Sequence, residues 1–311
     1  MVAVRRVARE MAAQDWLLVG YFVALAIAVA SGSGRDKSLS CAMVAFDATI
    51  LGGAILLVRG GILKDGLASV VYRAGVFVPV FISYFQLRWI LPTVTTRSLD
   101  GDLHAFDLAV FGVEPAVAWD RFVTPVTTEW FAFFYFGYFF VMGAHIFPFL
   151  FLGKDDLLMR HFGLGIFFQF CATHLLYMVV PGFGPYKVLT FVHALDGGTF
   201  RDLVMSSVHS AGAQKDIFPS LHTGAPTFLT VFSFLHRDRA PFKYTWPILA
   251  FVVSQIIIAT MFLRWHWLVD IVAGFSLATT NAIVSRAIVR WEIRRREARG
   301  ATPIFGRSVW R

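Results

Sequence analysis

The fold is decided by a stretch that reads FPSLHTG at residues 218–224, YTWPILAFVVSQIIIATMFL at residues 244–263 and RWHWLVD at residues 264–270. The middle run is almost wholly apolar and has roughly the 20 residues that an α-helix needs to cross a bilayer. On either side of it stands a histidine among polar residues, His222 before and His266 after. The stretch therefore predicts a membrane crossing with chemically active residues at its borders.

The composition of the whole chain agrees with a membrane protein. Of 311 residues, 57% are hydrophobic, 16% aromatic and 15% charged, which is too apolar for a soluble domain of this length. A net charge of +8 could suggest nucleic acid, but the excess is terminal, because residues 286–311 carry eight arginines against two glutamates. Such a tail is typical of a cytoplasmic anchor near anionic lipid, so we predict no nucleic-acid partner.

Other apolar runs predict the rest of the architecture. Runs long enough to span the hydrocarbon lie at about 16–30, 39–58, 68–92, 129–152, 162–181, 219–235, 244–263 and 267–289. This pattern predicts an all-α polytopic bundle of about eight transmembrane helices. An even number puts both termini on one side, and the basic tails place that side in the cytoplasm.

The chain is predicted to have three parts: N-terminal transmembrane helices at 1–66, a catalytic transmembrane core at 67–290 and a basic cytoplasmic tail at 291–311. The outer loop 93–128 contains five acids and two arginines, and its mixed stretch LHAFDLAVFG at 103–112 predicts an interfacial helix near 100–120. Short loops and the lack of a long lumenal domain favour a bacterial inner membrane.

The two histidines are predicted to lie at the same, extracytoplasmic, face. The outer loop 182–218 directly precedes His222, and a short outer turn precedes His266. His266 and Asp270 are four residues apart, so a helix places both on one face, where the carboxylate can hold an imidazole N–H. Pro219 and Ser220 indicate a helix start, where free backbone N–H groups and a hydroxyl form an anion site.

These groups can support phosphoryl transfer. A histidine held by a carboxylate presents its other nitrogen as a nucleophile, and a second histidine can protonate a departing alkoxide. The candidate catalytic residues are His222, His266 and Asp270, and the candidate phosphate-binding residues are Ser220, Arg264, Lys187 and Lys215. The nine histidines show no metal-ligand spacing, so neither a metal nor a cofactor is predicted.

Structural roles for the same residues stay open at this point. His266 lies between Trp265 and Trp267, which could form an aromatic belt at the membrane interface, and Asp270 could pair with Arg264. Ser220 could be a simple helix cap. Several ionisable residues lie inside apolar runs. Asp47 and Arg73 are expected to form a structural ion pair, and His145 and His174 are expected to be buried bundle residues with satisfied hydrogen bonds.

The motifs Pro-Ser-x-His at 219–222 and His-x-x-x-Asp at 266–270 resemble the second and third motifs of the type 2 phosphatidic acid phosphatase superfamily. More narrowly, PSLHTG and RWHWLVDIVAG resemble the branch that contains inositol phosphorylceramide synthase, and residues 181–186 resemble that branch's upstream loop motif. The region of Asp107, Gly112 and Pro115 resembles bacterial members. Together these motifs cover about a third of the chain.

The resemblance implies a six-helix catalytic core, no metal requirement and a phosphohistidine intermediate. It makes His266 the nucleophile, Asp270 its orienting partner, His222 the acid for the leaving group and Ser220 a phosphate ligand.

The chain also departs from the superfamily pattern. Thr260 stands where the third motif usually has a phosphate-binding arginine, whereas Arg264 lies two residues before the nucleophile. The first motif, a lysine followed by an Arg-Pro pair, is absent. These departures favour the transferase branch over an ordinary phosphatase.

The leading hypothesis is a membrane phosphotransferase that moves a phosphate-containing head group from a phospholipid to a lipid or polyol acceptor. A lipid phosphate phosphatase, acting on phosphatidic acid or a polyprenyl diphosphate, is the nearest alternative. A non-catalytic lipid-binding or transport bundle is an alternative of another class.

Overall fold

A computed structural model describes residues 2–63, 65–151, 155–211 and 215–300. Within these ranges the regular structure is helical, and strand-like pairing is limited to an isolated bridge between Gly182 and Asp216. The predicted all-α class is confirmed. The helices are α1 (Val2–Glu10), α2 (Ala13–Ser31), α3 (Lys37–Arg59), α4 (Asp65–Val94), α5 (Asp100–Phe111), α6 (Pro115–Ala118), α7 (Pro125–Phe151), α8 (Asp156–Val179), α9 (Pro185–Val188), α10 (Thr199–Ala211), α11 (Leu221–Leu235), α12 (Phe242–Phe262) and α13 (Leu268–Glu297), with a 3₁₀ turn at Asp120–Phe122.

Seven of the predicted crossings are helices long and apolar enough to span a membrane, so the chain is an integral membrane protein. They are α2, α3, α4, α7, α8, α12 and α13. The eighth prediction corresponds to α11, which has only 15 residues. It is shorter than the predicted run because the backbone of Ser220 is extended, with φ −61° and ψ 114°, so the helix begins after Pro219 and Ser220.

By its contacts the chain divides into two compact units. One unit contains the described residues of Met1–Val94, His145–Leu175 and Asn281–Arg311, and the other contains Thr95–Ala144 and Leu176–Thr280. The predicted three-part division is a functional one that this geometry does not test. Helix α13 continues to Glu297, past the predicted start of the tail, and residues 301–311 of that tail lie outside the described residues.

Buried polar contacts organise the first unit. Arg59 Nε donates to Asp15 Oδ2 at 2.8 Å, and the Tyr72 hydroxyl donates to the same carboxylate. The predicted pair of Asp47 and Arg73 is wrong, because Arg73 donates to the Leu150 carbonyl at 2.7 Å whereas both Asp47 oxygens are buried without a hydrogen-bond partner. The end of α7 offers open carbonyls that a nearby guanidinium can reach.

The predicted helix in the loop 93–128 is present as α5. Its residues Asp100, Leu103 and Asp107 are buried in the second unit, while Phe106 and Val110 are 49% and 57% exposed. Gly112 ends the helix in the left-handed region at φ +71°, which glycine adopts without strain. The helix therefore turns an acidic face inward, where it contacts the loops that carry the candidate site.

Close packing of α3 on α4 predicts different effects for two glycines of the first unit. A Cβ on Gly75 would lie 2.2 Å from the Ala54 Cβ, whereas a Cβ on Gly53 would meet no atom within 4 Å. We expect Gly75→Ala to destabilise the protein by about 1–3 kcal/mol through overpacking. Gly53→Ala should be neutral or stabilising by up to about 1 kcal/mol, since alanine is the better helix former. Unfolding midpoints in detergent measure both, and equal midpoints would contradict the packing.

Candidate active site

A tight reversal between α12 and α13 positions His266. The carbonyl of Thr260 accepts the backbone N–H groups of Trp265 at 2.9 Å and His266 at 3.3 Å, so the chain folds back on the end of α12. Arg264 occupies the left-handed region at φ +67°, which non-glycine residues seldom adopt. Such strained residues are enriched at functional sites.

The start of α13 is held by carboxylates. Asp107 Oδ2 accepts the N–H of Leu268 at 2.6 Å, and its Oδ1 accepts the N–H of Val269 at 2.9 Å. Asp270 Oδ2 accepts the N–H of Trp267 at 3.0 Å. Burial raises the pKa of Asp107, although the bonds from the N–H groups of Leu268 and Val269 act to lower it. The free N–H groups of the helix start thus bind acids from two elements, which fixes the residues on either side of the turn.

His266 and Asp270 form the predicted contact. Nδ1 of His266 lies 3.4 Å from Asp270 Oδ2, and the two residues are 4% and 0% exposed. The distance exceeds the roughly 2.7–2.9 Å of a short charge-assisted hydrogen bond. Burial lowers the pKa of His266 to about 4, while the charge of Asp216 and the Ile217 carbonyl act to raise it. The imidazole is therefore neutral near pH 7, as a nucleophile must be.

Helix α11 brings His222 to the same place. Ser220 caps the helix by accepting the N–H of Thr223 at 3.2 Å, and its own N–H donates to the Asp270 carbonyl at 3.0 Å. A Cβ on Gly274 would lie 2.5 Å from the Ser220 carbonyl oxygen, so only glycine permits this approach of α13. The start of α11 and the start of α13 are therefore joined directly through the backbone.

The two imidazoles face a common space. Their ring centroids lie 6.3 Å apart, with 49° between the planes, a separation that a phosphoryl group bridges. Tyr135 and Tyr138 of α7 each lie 4.4 Å from the His222 ring, Tyr135 in a stacked arrangement. These aromatic contacts hold the orientation of His222, which has no carboxylate of its own in the motif.

The structural alternatives for the motif at residues 266–270 do not fit the observed contacts. Trp265 and Trp267 are only 8% and 0% exposed, so they are core residues and not an interfacial belt. Trp267 donates its Nε1–H to Asp100 at 3.0 Å. The possible pair of Asp270 with Arg264 is wrong, because Arg264 binds Asp120.

Arg264 is anchored two residues before His266. Its Nη2 donates to Asp120 Oδ1 at 2.8 Å and to the His193 carbonyl at 2.6 Å, and its guanidinium lies 3.9 Å from the Phe191 ring. Burial tends to raise the pKa of Asp120, but bonds from the His193 ring, from backbone N–H groups and from Arg264 hold it below its usual value. The Nε of Arg264 is buried without a partner, so one side of the predicted phosphate ligand is not engaged.

The two lysines predicted to bind phosphate both lie near the ring of Phe183. Lys187 Nζ lies 4.0 Å from the centre of the Phe183 ring, and Lys215 Nζ lies 5.3 Å from it. Lys215 also donates to the carbonyls of Thr96 and Arg97, each at 3.1 Å. Within the described part of the chain, no recorded contact joins either lysine to the histidine pair. They form a cationic group beside Phe183 in the loop region, and their role in binding phosphate stays a prediction.

The loop at residues 181–186, which resembles the upstream loop motif, contacts the turn that carries His266. Asp100 accepts the N–H groups of Phe183 and Gly184, and the Tyr186 N–H donates to the Arg264 carbonyl at 2.8 Å. Gly184 has φ +89°, and a Cβ there would lie 2.2 Å from the Trp265 carbonyl oxygen. Glycine is therefore required at position 184 for this close approach of the loop to the turn.

Sequence reasoning missed several groups that build the site. Asp100, Asp107 and Asp120 of the loop 93–128 each bind a loop or helix start around the histidines, and Asp216 acts on His266. The signal was present as an excess of acids in this loop, five against two arginines. Carboxylates in excess of basic side chains in such a loop indicate bonds to backbone N–H groups.

Comparison with known proteins adds a family assignment for part of the chain. Residues 161–294 match the model of the PAP2 superfamily. The match includes both histidines and Asp270 but covers less than half of the chain, and it confirms the resemblance at the level of the superfamily only. No curated protein and no solved structure matches the chain. The superfamily suggests phosphatase or phosphotransferase chemistry on lipid-like substrates.

The capping of α13 by Asp107 predicts a coupled loss of stability and activity. We expect Asp107→Ala to destabilise the protein by about 1–2 kcal/mol, the usual cost of losing a helix cap. Activity of the folded fraction should fall as well, because His266 and Asp270 flank the freed N–H groups. Thermal unfolding and turnover measured on one preparation test this. The exposed Asp102 of the same helix provides the matched control, Asp102→Ala, which should change neither quantity.

Proposed function

We propose that this protein is a membrane phosphotransferase that moves a phosphate-containing head group from a phospholipid to a lipid or polyol acceptor through a phosphohistidine. The observation that carries the proposal is the pair of imidazoles 6.3 Å apart, one of them backed by a buried carboxylate. An activity like that of inositol phosphorylceramide synthase is the finer form of this proposal, and it rests on the motif resemblance.

In the first step, the free nitrogen of neutral His266 attacks the phosphorus of the donor phosphodiester. The bond from phosphorus to the lipid alkoxide breaks, and His222, which takes up a proton when the anionic phosphate binds beside it, gives that proton to the oxygen. Asp270 stabilises the positive charge that develops on the substituted ring of His266. The products of this step are the free lipid alcohol and a head group bound through phosphorus to His266.

In the second step, an acceptor hydroxyl attacks the same phosphorus. Its proton passes to His222, the bond between phosphorus and His266 breaks, and both histidines return to their starting states. Water in place of the acceptor would hydrolyse the intermediate by the same route, and with a phosphate monoester as the donor this reaction is the lipid phosphatase alternative. The absence of a cation at Thr260 favours transfer, since a phosphate monoester carries more charge for cations to balance than a diester.

Several donors can hold the phosphate oxygens. The N–H groups at the start of α11 and the Ser220 hydroxyl lie next to His222 and suit an anion. The unengaged Nε of Arg264 can supply positive charge from the turn before His266. We assign Lys187 and Lys215 to the approach of the anionic donor, because they surround Phe183 in the loop region.

The proposed setting is a bacterial inner membrane with both termini in the cytoplasm and the site at the extracytoplasmic face. The basic segments of the chain support this orientation through the positive-inside rule. In this arrangement the substrates are a phospholipid of the outer leaflet and a lipid or polyol acceptor.

Substitution of either histidine tests the proposal. His266→Ala and His222→Ala should each lower turnover of a head-group-labelled phospholipid by about 10²–10⁴, the usual worth of acid–base assistance, or more for the nucleophile. His209→Ala, on an exposed position of α10, is the control and should retain activity. An acid-labile adduct that maps to His266 should appear after rapid quenching. Unchanged turnover in both site variants would instead favour a lipid-binding or transport bundle.

Acceptor dependence separates the transferase from the phosphatase. The purified protein is given labelled phospholipid with and without ceramide or inositol-type acceptors. We expect a labelled transfer product only when an acceptor is present. Release of the phosphorylated head group at the same rate in both reactions, together with release of inorganic phosphate from labelled phosphatidic acid, would identify the phosphatase.

The burial of His266 predicts its reactivity as a function of pH. Burial favours the neutral ring, so the pKa of about 4 lies below the ordinary value and the nucleophilic form persists as the pH falls to that point. Diethyl pyrocarbonate modifies neutral imidazole only, and mass spectrometry reports the rate at His266. We expect that rate to fall by half near pH 4. The rate for a histidine peptide in the same reaction should fall by half at a pH of about 6.5. Coincident curves would contradict a buried neutral nucleophile.

A further inference from the structure

His193 lies in the loop between α9 and α10, outside both histidine motifs, and it has no role in the two proposed steps. Its side chain is 49% exposed, so the ring meets the solution. Nδ1 of the ring lies 3.0 Å from Asp120 Oδ2, which also accepts the backbone N–H groups of Val192 at 3.1 Å and His193 at 3.3 Å. Because an ionised carboxylate only accepts hydrogen bonds, the ring donates its Nδ1–H and keeps its other nitrogen for exchange of a proton with the solution.

The second oxygen of the same carboxylate binds Arg264. Arg264 Nη2 donates to Asp120 Oδ1 at 2.8 Å and to the His193 carbonyl at 2.6 Å. The side chains of Arg264 and Asp120 are only 8% and 11% exposed, so water screens this pair weakly. One carboxylate therefore joins an exposed imidazole to a buried guanidinium.

The net charge of these three side chains depends on His193. With a neutral imidazole the charges of Asp120 and Arg264 cancel, and with a protonated imidazole the group carries one positive charge. Histidine is the side chain whose charge ordinarily changes between about pH 5 and 8. Within the described residues, the charged groups in recorded contact with His193 are Asp120 of the 3₁₀ turn and Arg264 of the turn before α13, whereas Asp196 of its own loop makes no recorded contact with it.

We propose that His193 is a positioning residue that controls the binding of the anionic donor by acting through Asp120 on Arg264. A protonated ring draws the Asp120 carboxylate towards itself and leaves the charge of Arg264 less balanced, so the phosphate binds more tightly. A neutral ring leaves the carboxylate to Arg264 and weakens that binding. This inference rests on the proposed function, in which Arg264 supplies positive charge to the phosphate, and it adds regulation of that site by the pH of the outer solution.

The pH course of the donor KM tests this role. A phosphodiester donor keeps a single negative charge over the range used, unlike a monoester, whose second proton leaves near pH 6. We expect the wild-type KM for the labelled phospholipid to rise by roughly 3–10-fold between about pH 5 and 8, the effect of one partly screened charge. The value of kcat should follow the same pH course in wild type and variants, because His193 touches no reacting atom.

Two matched variants separate the charge of the ring from its hydrogen bond. In His193→Asn the amide can still donate to Asp120 but carries no charge, so KM should stay near the high-pH value of the wild type throughout. His209→Asn, on an exposed position of α10, is the control and should keep the wild-type rise. Burial raises the pKa of Glu114 to about 7, but this acid is present in all three proteins and its effect cancels in the comparison. KM does not depend on how much of a variant is folded.

A bond that only fixes the loop would be kept by asparagine, and KM would then rise with pH in His193→Asn as it does in the wild type. That result, or a wild-type KM that stays constant with pH, would overturn the role of His193. If in that case His266→Ala is still inactive, the phosphotransferase stands. If His266→Ala retains full turnover, the proposed function itself fails.

Discussion

The site depends on buried carboxylates that bind backbone N–H groups. A chain that crosses a bilayer has little water with which to satisfy open N–H groups, and loops and helix starts leave several of them. Asp100 binds the loop at residues 181–186, Asp107 binds the start of α13, and Asp120 binds the N–H groups of Val192 and His193. Each acid thereby places a segment of irregular backbone next to the histidines.

These acids also set the electrostatics around His266. Asp120 holds Arg264 at 2.8 Å, so the positive charge nearest the nucleophile in sequence is balanced and fixed in place. Asp270 lies behind His266, and Asp216 acts on the ring from another segment. Burial nevertheless keeps the free ring neutral. In the proposed mechanism the acids stabilise the charged intermediate more than the free ring, which is the condition for catalysis.

The resemblance and the geometry support different levels of the function. The motifs and the PAP2 match agree on covalent or acid–base chemistry at phosphorus. The choice of acceptor depends on the shape and polarity of the surrounding groups, which motifs do not describe. Tyr135 and Tyr138 pack on His222 and Tyr186 packs on Trp265, and none of the three belongs to the two histidine motifs.

The sequence by itself determined the helical class, seven of the predicted membrane crossings and the contact of His266 with Asp270. Apolar length acts within one helix. The contact of His266 with Asp270 is also local, but it joins the turn to the first residues of α13 and does not lie within one helix as predicted, because that helix begins only at Leu268. The sequence overestimated the length of α11, because an apolar run does not show that the backbone of Ser220 is extended and that the helix begins only after it. Only the tertiary structure decided that Asp120 and not Asp270 binds Arg264, that Asp47 and Arg73 do not pair, and that Lys187 and Lys215 surround Phe183. Those partners are brought together by packing between elements distant in sequence, and no local pattern records which charged group a buried arginine or carboxylate will meet.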